Sequence, residues 1–212
     1  MTNYIESLKW RYATKKYDTT KKVSKEDVET LKEAVKLSVS SVGLQPYKIL
    51  VIESPEVRAK LKEAAGGNNQ NLIMDASHLF VFANETNVGD AHVNNYINNI
   101  STIRGVEPES LKGLGDYLSG FLGSLSIEDK NAWTAKQSYI ALSTLINSAA
   151  LLKIDTTPME GFNAAQFNDI LGLEALGLNA AVIATVGYRH EEDLMQHAAK
   201  VRKSNEELFI TL

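Results

Sequence analysis

Three short runs of branched and aromatic residues limit what this chain can fold into: 48–52 (KILVI), 79–83 (LFVFA) and 180–188 (AAVIATVGY). Their apolar residues follow one another instead of alternating, as in strands buried on both faces. Everything else with a period reads as helix. Residues 3–12 form a short helix with Asn3 as N-cap, Glu6 three positions on, and Ile5 and Leu8 facing inward. A second starts at Ser24 and carries Val28, Leu31 and Val35 on one stripe. Ser54-Pro55 opens a third, which runs through Val57 and Leu61 to a stop at Gly66-Gly67. Residues 88–104 and 109–124 are weakly patterned helices, and 129–152 is a long helix apolar on most faces of its second half. Asn163 caps a helix closed by Gly172. The final LFITL is a short apolar strand with no evident partner inside the chain. Few strands among many helices predict an α+β layer structure, and no linker or repeat divides residues 1–212, so one domain is expected.

Composition excludes several functions. A net charge of −4 does not suit a general nucleic-acid binder. The absence of cysteine removes disulfides, thiolate metal sites and cysteine nucleophiles. The four histidines form no H-x-x-x-H pair, so no metal site is expected; His78 reads as a satisfied histidine at a strand entry. No stretch is long and apolar enough for a leader or a membrane span, which predicts a cytoplasmic protein.

No nucleophile–base pair, nucleophile elbow or Walker loop is present. GLGDYLSG at 113–120 imitates a glycine fingerprint with the wrong spacing, and reads as a loop or loose helix. What the chain does have is anion-binding capacity. Six basic residues (Lys9, Arg11, Lys15, Lys16, Lys21, Lys22) face one acid, Asp18, and a second cluster holds Lys200, Arg202 and Lys203. Each reads alone as a solvated face; if they meet, arginine fork and lysine point charge make a phosphate clamp. The stretch 157–162 (TPMEGF) reads as a tight turn whose N–H groups can point into a cavity. Chemistry without protein acids or bases belongs to a cofactor.

Six motifs occur in order: Arg11-Tyr12-Ala13-Thr14-Lys15, Ser40-Ser41 leading to Gln45-Pro46, Ala76-Ser77-His78, Ala135-Lys136-Gln137, Pro158-Met159-Glu160-Gly161-Phe162, and Lys200-Val201-Arg202. This pattern resembles the oxygen-insensitive NAD(P)H nitroreductase and dihydropteridine reductase group of the FMN-dependent nitroreductase family, from about residue 10 to 203. The resemblance implies a mostly antiparallel central sheet surrounded by helices in an intertwined homodimer, with FMN at the interface. It implies NADH or NADPH as donor and a small aromatic or quinone-like acceptor, with ping-pong hydride transfer through flavin N5. No catalytic side chain is implied.

Carried over by residue, Arg11, Lys200 and Arg202 would hold the FMN phosphate, and Tyr12 and Ala13 would contact the cofactor. Lys15 would sit at the pyrimidine edge of the ring. Ser40 and Ser41 would approach from the partner subunit, and Asn69 would lie near the ring or ribityl chain. Pro158 belongs to the matched cofactor turn, in which Glu160 and Gly161 would offer backbone N–H groups to N5 and O4. Departures are visible. Tyr12 replaces a common histidine and Ala13 a common serine; Val39 and Gly43 replace proline and asparagine of P-S-S-x-N-x-Q-P; Leu72 falls where a second flavin-side lysine is frequent. These departures leave open a flavin-binding sensor or carrier with little turnover. Tyr117, Phe121 and Leu122 read as helix-core packing or, alternatively, as a pocket wall.

Overall fold

A computed structural model describes residues 2–212, with the Thr2 side chain excluded. In chain order it contains α1 (Thr2–Trp10), α2 (Lys25–Lys36), β1 (Tyr47–Ile52), α3 (Pro55–Glu63), α4 (Asn69–Asp75), β2 (His78–Glu85), α5 (Asp90–Arg104) and α6 (Lys112–Ser124). It continues with α7 (Ile127–Leu151), β3 (Asp155–Met159), α8 (Ala164–Leu171), β4 (Leu178–Gly187) and α9 (Asn205–Leu208). The strands form one antiparallel sheet in the order β1-β2-β4-β3. β2 lies opposite β4 from His78–Val186 to Glu85–Leu178, with one irregularity between Phe82 and Ala83.

The unbroken apolar runs have a simple cause, since both faces of the sheet are covered. Phe80, Phe82, Val182, Ala184 and Val186 pack against Val28, Leu31 and Val35 of α2 and Ala141, Leu142 and Leu145 of α7. Their neighbours Leu79, Val81, Ala83 and Ile183 point the other way, onto Leu61, Leu72, Ile73 and Phe167 of α3, α4 and α8. Each fully buried Val, Leu, Ile or Phe among them contributes roughly 1.5–3 kcal/mol. A smaller cluster (Val93, Ile97, Leu118, Leu122) joins α5 to α6.

Local signals act as read at several ends. Ser24 Oγ accepts from Asp27 N, Ser54 Oγ from Val57 N, and Asn163 from Gln166 N, while Gly172 closes α8 at φ 64°. His78 Nδ1 lies 2.9 Å from Ser77 Oγ, as a satisfied strand-entry histidine should.

Other expectations change. α1 begins at Thr2, so Asn3 is inside it; Ser7 is buried and Ile5 is exposed. The 113–120 segment is ordinary α6 helix. Of the turn expected at 157–162, Thr157, Pro158 and Met159 are instead the end of edge strand β3, which tolerates Pro158 because an edge needs one fewer ladder donor. The chain turns only at Glu160–Phe162, where Phe162 N donates to the Glu160 carbonyl. α4 has no apolar period to announce it. β1 is only half-buried because it too is an edge. Residues 209–212 pair with no strand among the described residues, and Phe209, Ile210 and Leu212 stand exposed. Between α2 and β1 the backbone is left-handed at Val42, Gly43 and Gln45 (φ 51°, 75° and 46°). A Cβ on Gly43 would lie 2.3 Å from the Tyr96 hydroxyl of α5.

α4 is held by Arg58 of α3, which is 5% exposed. Its guanidinium donates to the carbonyls of Ile73 (2.7 Å from Nε), Met74 (3.1 Å), Ala76 (2.6 Å) and Ser77 (3.1 Å), the orphan acceptors at the end of α4. Replacing it orphans them. Arg58→Met should cost about 2–4 kcal/mol, read as a lower urea midpoint at unchanged slope. An unchanged midpoint would contradict this role.

Candidate functional site

The site is built where the chain leaves α1 and runs along the outer edge of β3. Ala13 bridges Thr156 in parallel, and Thr157 Oγ1 donates to the Thr14 carbonyl at 2.7 Å. Tyr17 anchors the arm. Its ring is buried against Gly187, where a Cβ would come within 2.9 Å of it, and its hydroxyl lies 3.1 Å from Thr185 Oγ1. These contacts fix residues 11–16 relative to the sheet.

The two basic clusters do meet. Lys200 Nζ donates to the carbonyls of Leu8 (2.7 Å) and Arg11 at the end of α1. Burial and then Arg202 hold the Arg11 guanidinium below its ordinary value, and burial, Arg11 and Arg202 do the same for Lys200. The folded chain therefore disfavours the charged forms of Arg11 and Lys200 beside Arg202. None pairs with a carboxylate among the described residues, whereas Lys9, Lys16 and Lys21 are paired with Glu6, Glu192 and Asp18. Arg11 Nε is buried without a hydrogen-bond partner. An orphaned guanidinium donor among converging cations fits a phosphate dianion.

Arg11 also stands between two hollows. A cleft of about 410 Å³ is lined by Arg11, Tyr12, Ala13, Lys200 and Arg202. A groove of about 620 Å³ is lined by Arg11, Tyr139, Leu142, Pro158, Met159 and Glu160. Across that groove Tyr139 donates to Glu160 at 2.6 Å. Burial, reinforced by that bond and the carboxylate charge, pushes its phenol up to about 12. Asn69 Nδ2 donates to the Gly161 carbonyl at 3.1 Å, and a Cβ at 161 would lie 2.8 Å from the same nitrogen. Glycine lets this amide approach. The β3–β4 ladder ends at Met159, so the N–H groups of Glu160 and Gly161 fall beyond it.

The family model described as "Nitroreductase family" matches residues 8–188. A Staphylococcus haemolyticus protein carrying the name "Putative NAD(P)H nitroreductase" is 34% identical over 196 residues, 89% of each chain. The chain belongs to the nitroreductase family. Its fold matches a Bacillus subtilis crystal structure with a TM-score of 0.89 at 19% identity, covering all of both chains. A protein of Exiguobacterium sibiricum solved in complex with FMN matches with a TM-score of 0.83 at 21% identity, over 99% of this chain and 97% of that one.

Of the residues this nitroreductase-family pattern singles out, one chain gathers Arg11, Tyr12, Ala13, Lys200 and Arg202 in the cleft. Pro158 and Glu160 line the adjoining groove, with Asn69 bonded to Gly161 beside it. Lys15 has a fixed backbone, its N–H donating to Asp193 at 2.7 Å and its carbonyl accepting from Asn68 at 3.0 Å, and an exposed side chain. Ser40 and Ser41 line neither hollow; Ser40 Oγ accepts from Gln45 N at 2.9 Å and Ser41 N donates to Gln137 at 2.7 Å. Leu72 is a core residue, so its position offers no charge. Leu122 is buried, Phe121 meets Trp133 edge-on at 5.5 Å, and Tyr117 is exposed. Two participants had no sequence signal: Tyr139 sits in an apolar helix and reads as packing, and Asp193 ends an acidic run that reads as solvated.

Removing one of three repelling cations has a definite sign. Arg202→Ala should raise the melting temperature of the ligand-free protein by about 1 °C, since exposed charges act weakly. It should also remove most of the stabilisation by inorganic phosphate. A lower ligand-free melting temperature would contradict the like-charge account.

Proposed function

We propose that this chain is an FMN-dependent NAD(P)H oxidoreductase that reduces nitroaromatics, quinones or pterins by two electrons. The observation that carries the reading is the set of Arg11, Lys200 and Arg202, gathered with a buried Arg11 Nε that has no partner. When bound, FMN would supply the redox chemistry, ping-pong hydride transfer through N5 from NADH or NADPH to the acceptor. The chain's own residues bind and orient. Arg11 and Arg202 supply bidentate donors and Lys200 a point charge for the phosphate. Tyr12 and Ala13 wall that cleft. Asn69 and the N–H groups of Glu160 and Gly161 would contact the ring, and Pro158 and Met159 line the groove that would receive it. Lys15 would stabilise negative charge at the pyrimidine edge from a backbone held in place beforehand. No side chain has to act as acid or base.

The reading includes a homodimer. Exposed Phe209, Ile210 and Leu212, with Tyr139 and Ile140 on α7, need cover, and Ser40 and Ser41 would serve the partner's cofactor. No helix among the described residues is long and apolar enough to cross a membrane, in keeping with a cytoplasmic enzyme.

The test is an anaerobic titration with NADH and then NADPH, followed by absorbance. A yellow protein should bleach with one donor and recolour on adding a quinone or nitroaromatic. A yellow protein that neither donor bleaches would support a sensor or carrier, and a colourless one that takes up no FMN would end the reading. Lys15→Ala should move the flavin midpoint more negative by roughly 30 mV, equivalent to about 1.4 kcal/mol for two electrons. An unchanged midpoint would remove Lys15 from this role.

A further inference from the structure

Tyr12 and Asp193 form a unit that cofactor contact does not explain. Asp193 is 3% exposed and forms no ion pair among the described residues, yet both its oxygens are engaged. Oδ2 accepts from the Tyr12 hydroxyl (2.9 Å), Lys15 N (2.7 Å) and Lys16 N (3.1 Å), all on the arm along β3. Oδ1 accepts from Met195 N (3.1 Å) and so caps the 3₁₀ turn Leu194–His197, which begins the segment leading to Lys200 and Arg202. One carboxylate thus joins the two stretches that supply the cations. The Tyr12 ring is fixed as well. The Arg189 guanidinium lies 4.6 Å from its centroid and 4.2 Å from that of Trp10, and pairs with Asp155 at 2.6 Å.

Resting on the flavin reading above, we propose that Asp193, with Tyr12, is a positioning residue of the phosphate site that clamps the Arg11 arm to the Lys200–Arg202 segment. The like charges of that site repel one another, so a tie nearby must hold the segments together before any anion arrives. A neutral hydrogen-bonded contact would resist this less well than a charge-assisted one. Burial pushes the Asp193 carboxyl up, but the Lys15 N–H, the Tyr12 hydroxyl and the Lys16 and Met195 N–H groups outweigh it and hold it low. Burial and the bond to Asp193 push the Tyr12 phenol up, so it stays the donor. The residue that replaces the family's common histidine therefore serves the protein side of the cleft. An amide at 193 cannot reproduce the pattern. It has one acceptor oxygen, and its NH2 would face either the three arm donors or Met195 N.

The experiment is a fluorescence titration of flavin-stripped wild type, Asp193→Asn and Tyr12→Phe with FMN and with riboflavin, which lacks the phosphate. Asp193→Asn should weaken FMN about tenfold and riboflavin less than about twofold, and Tyr12→Phe should show the same selectivity at about threefold. Equal weakening of both flavins would mean a merely structural role and overturn the clamp, as would an unchanged FMN affinity. If Asp193→Asn does not fold, the FMN-to-riboflavin ratio of Tyr12→Phe decides. Wild type that binds neither flavin would sink the flavin reading itself; wild type that binds FMN, with variants of unchanged ratio, would sink only the clamp.

Discussion

Burial of both sheet faces is the constraint from which the rest follows. Once α2 and α7 cover one face and α3, α4 and α8 the other, only the edges can take on further chain or ligand. The β3 edge receives the arm that carries Arg11, Tyr12 and Lys15, and beyond its last residue lies the turn bearing Glu160 and Gly161. The site is thus a sheet edge extended by side chains rather than a hole in the core. That suits a large planar ligand with a charged end, which needs a flat floor and a cationic terminus more than an enclosed cavity.

Burial and like charge disfavour the cations of Arg11 and Lys200 in the empty fold, a cost that the proposed anion would offset. The opposing forces are local: Tyr17 beneath the arm, Lys200 bonded to the carbonyls ending α1, and Asp193 beside it. Such arrangements are expected where function and stability conflict.

Much of this was legible where the determining physics is local. Ser24, Ser54 and Asn163 cap helices through atoms within three residues, and two runs of consecutive apolar residues mark the central strands β2 and β4. β3 was hidden because Thr156, Thr157 and Pro158 look like turn chemistry, and only their place at an edge makes them a strand. α4 was hidden because its end is satisfied by Arg58, a residue of another helix. For the site, residue types and order were readable, and so was the possibility that two basic clusters meet. Asp193 was not, since the same acid on a solvated loop and in a buried clamp is identical as a letter.

The loop between α2 and β1 carries a consequence of another kind. Tyr96 places its hydroxyl where a side chain at position 43 would begin, and Gly43 is held at a positive φ. The two positions are in steric contact. A side chain at 43 would require the Tyr96 ring to swing aside at the margin of the cluster that joins α5 to α6. The space at position 43 and the ring at position 96 are therefore set together, and a change at one is felt first at the other.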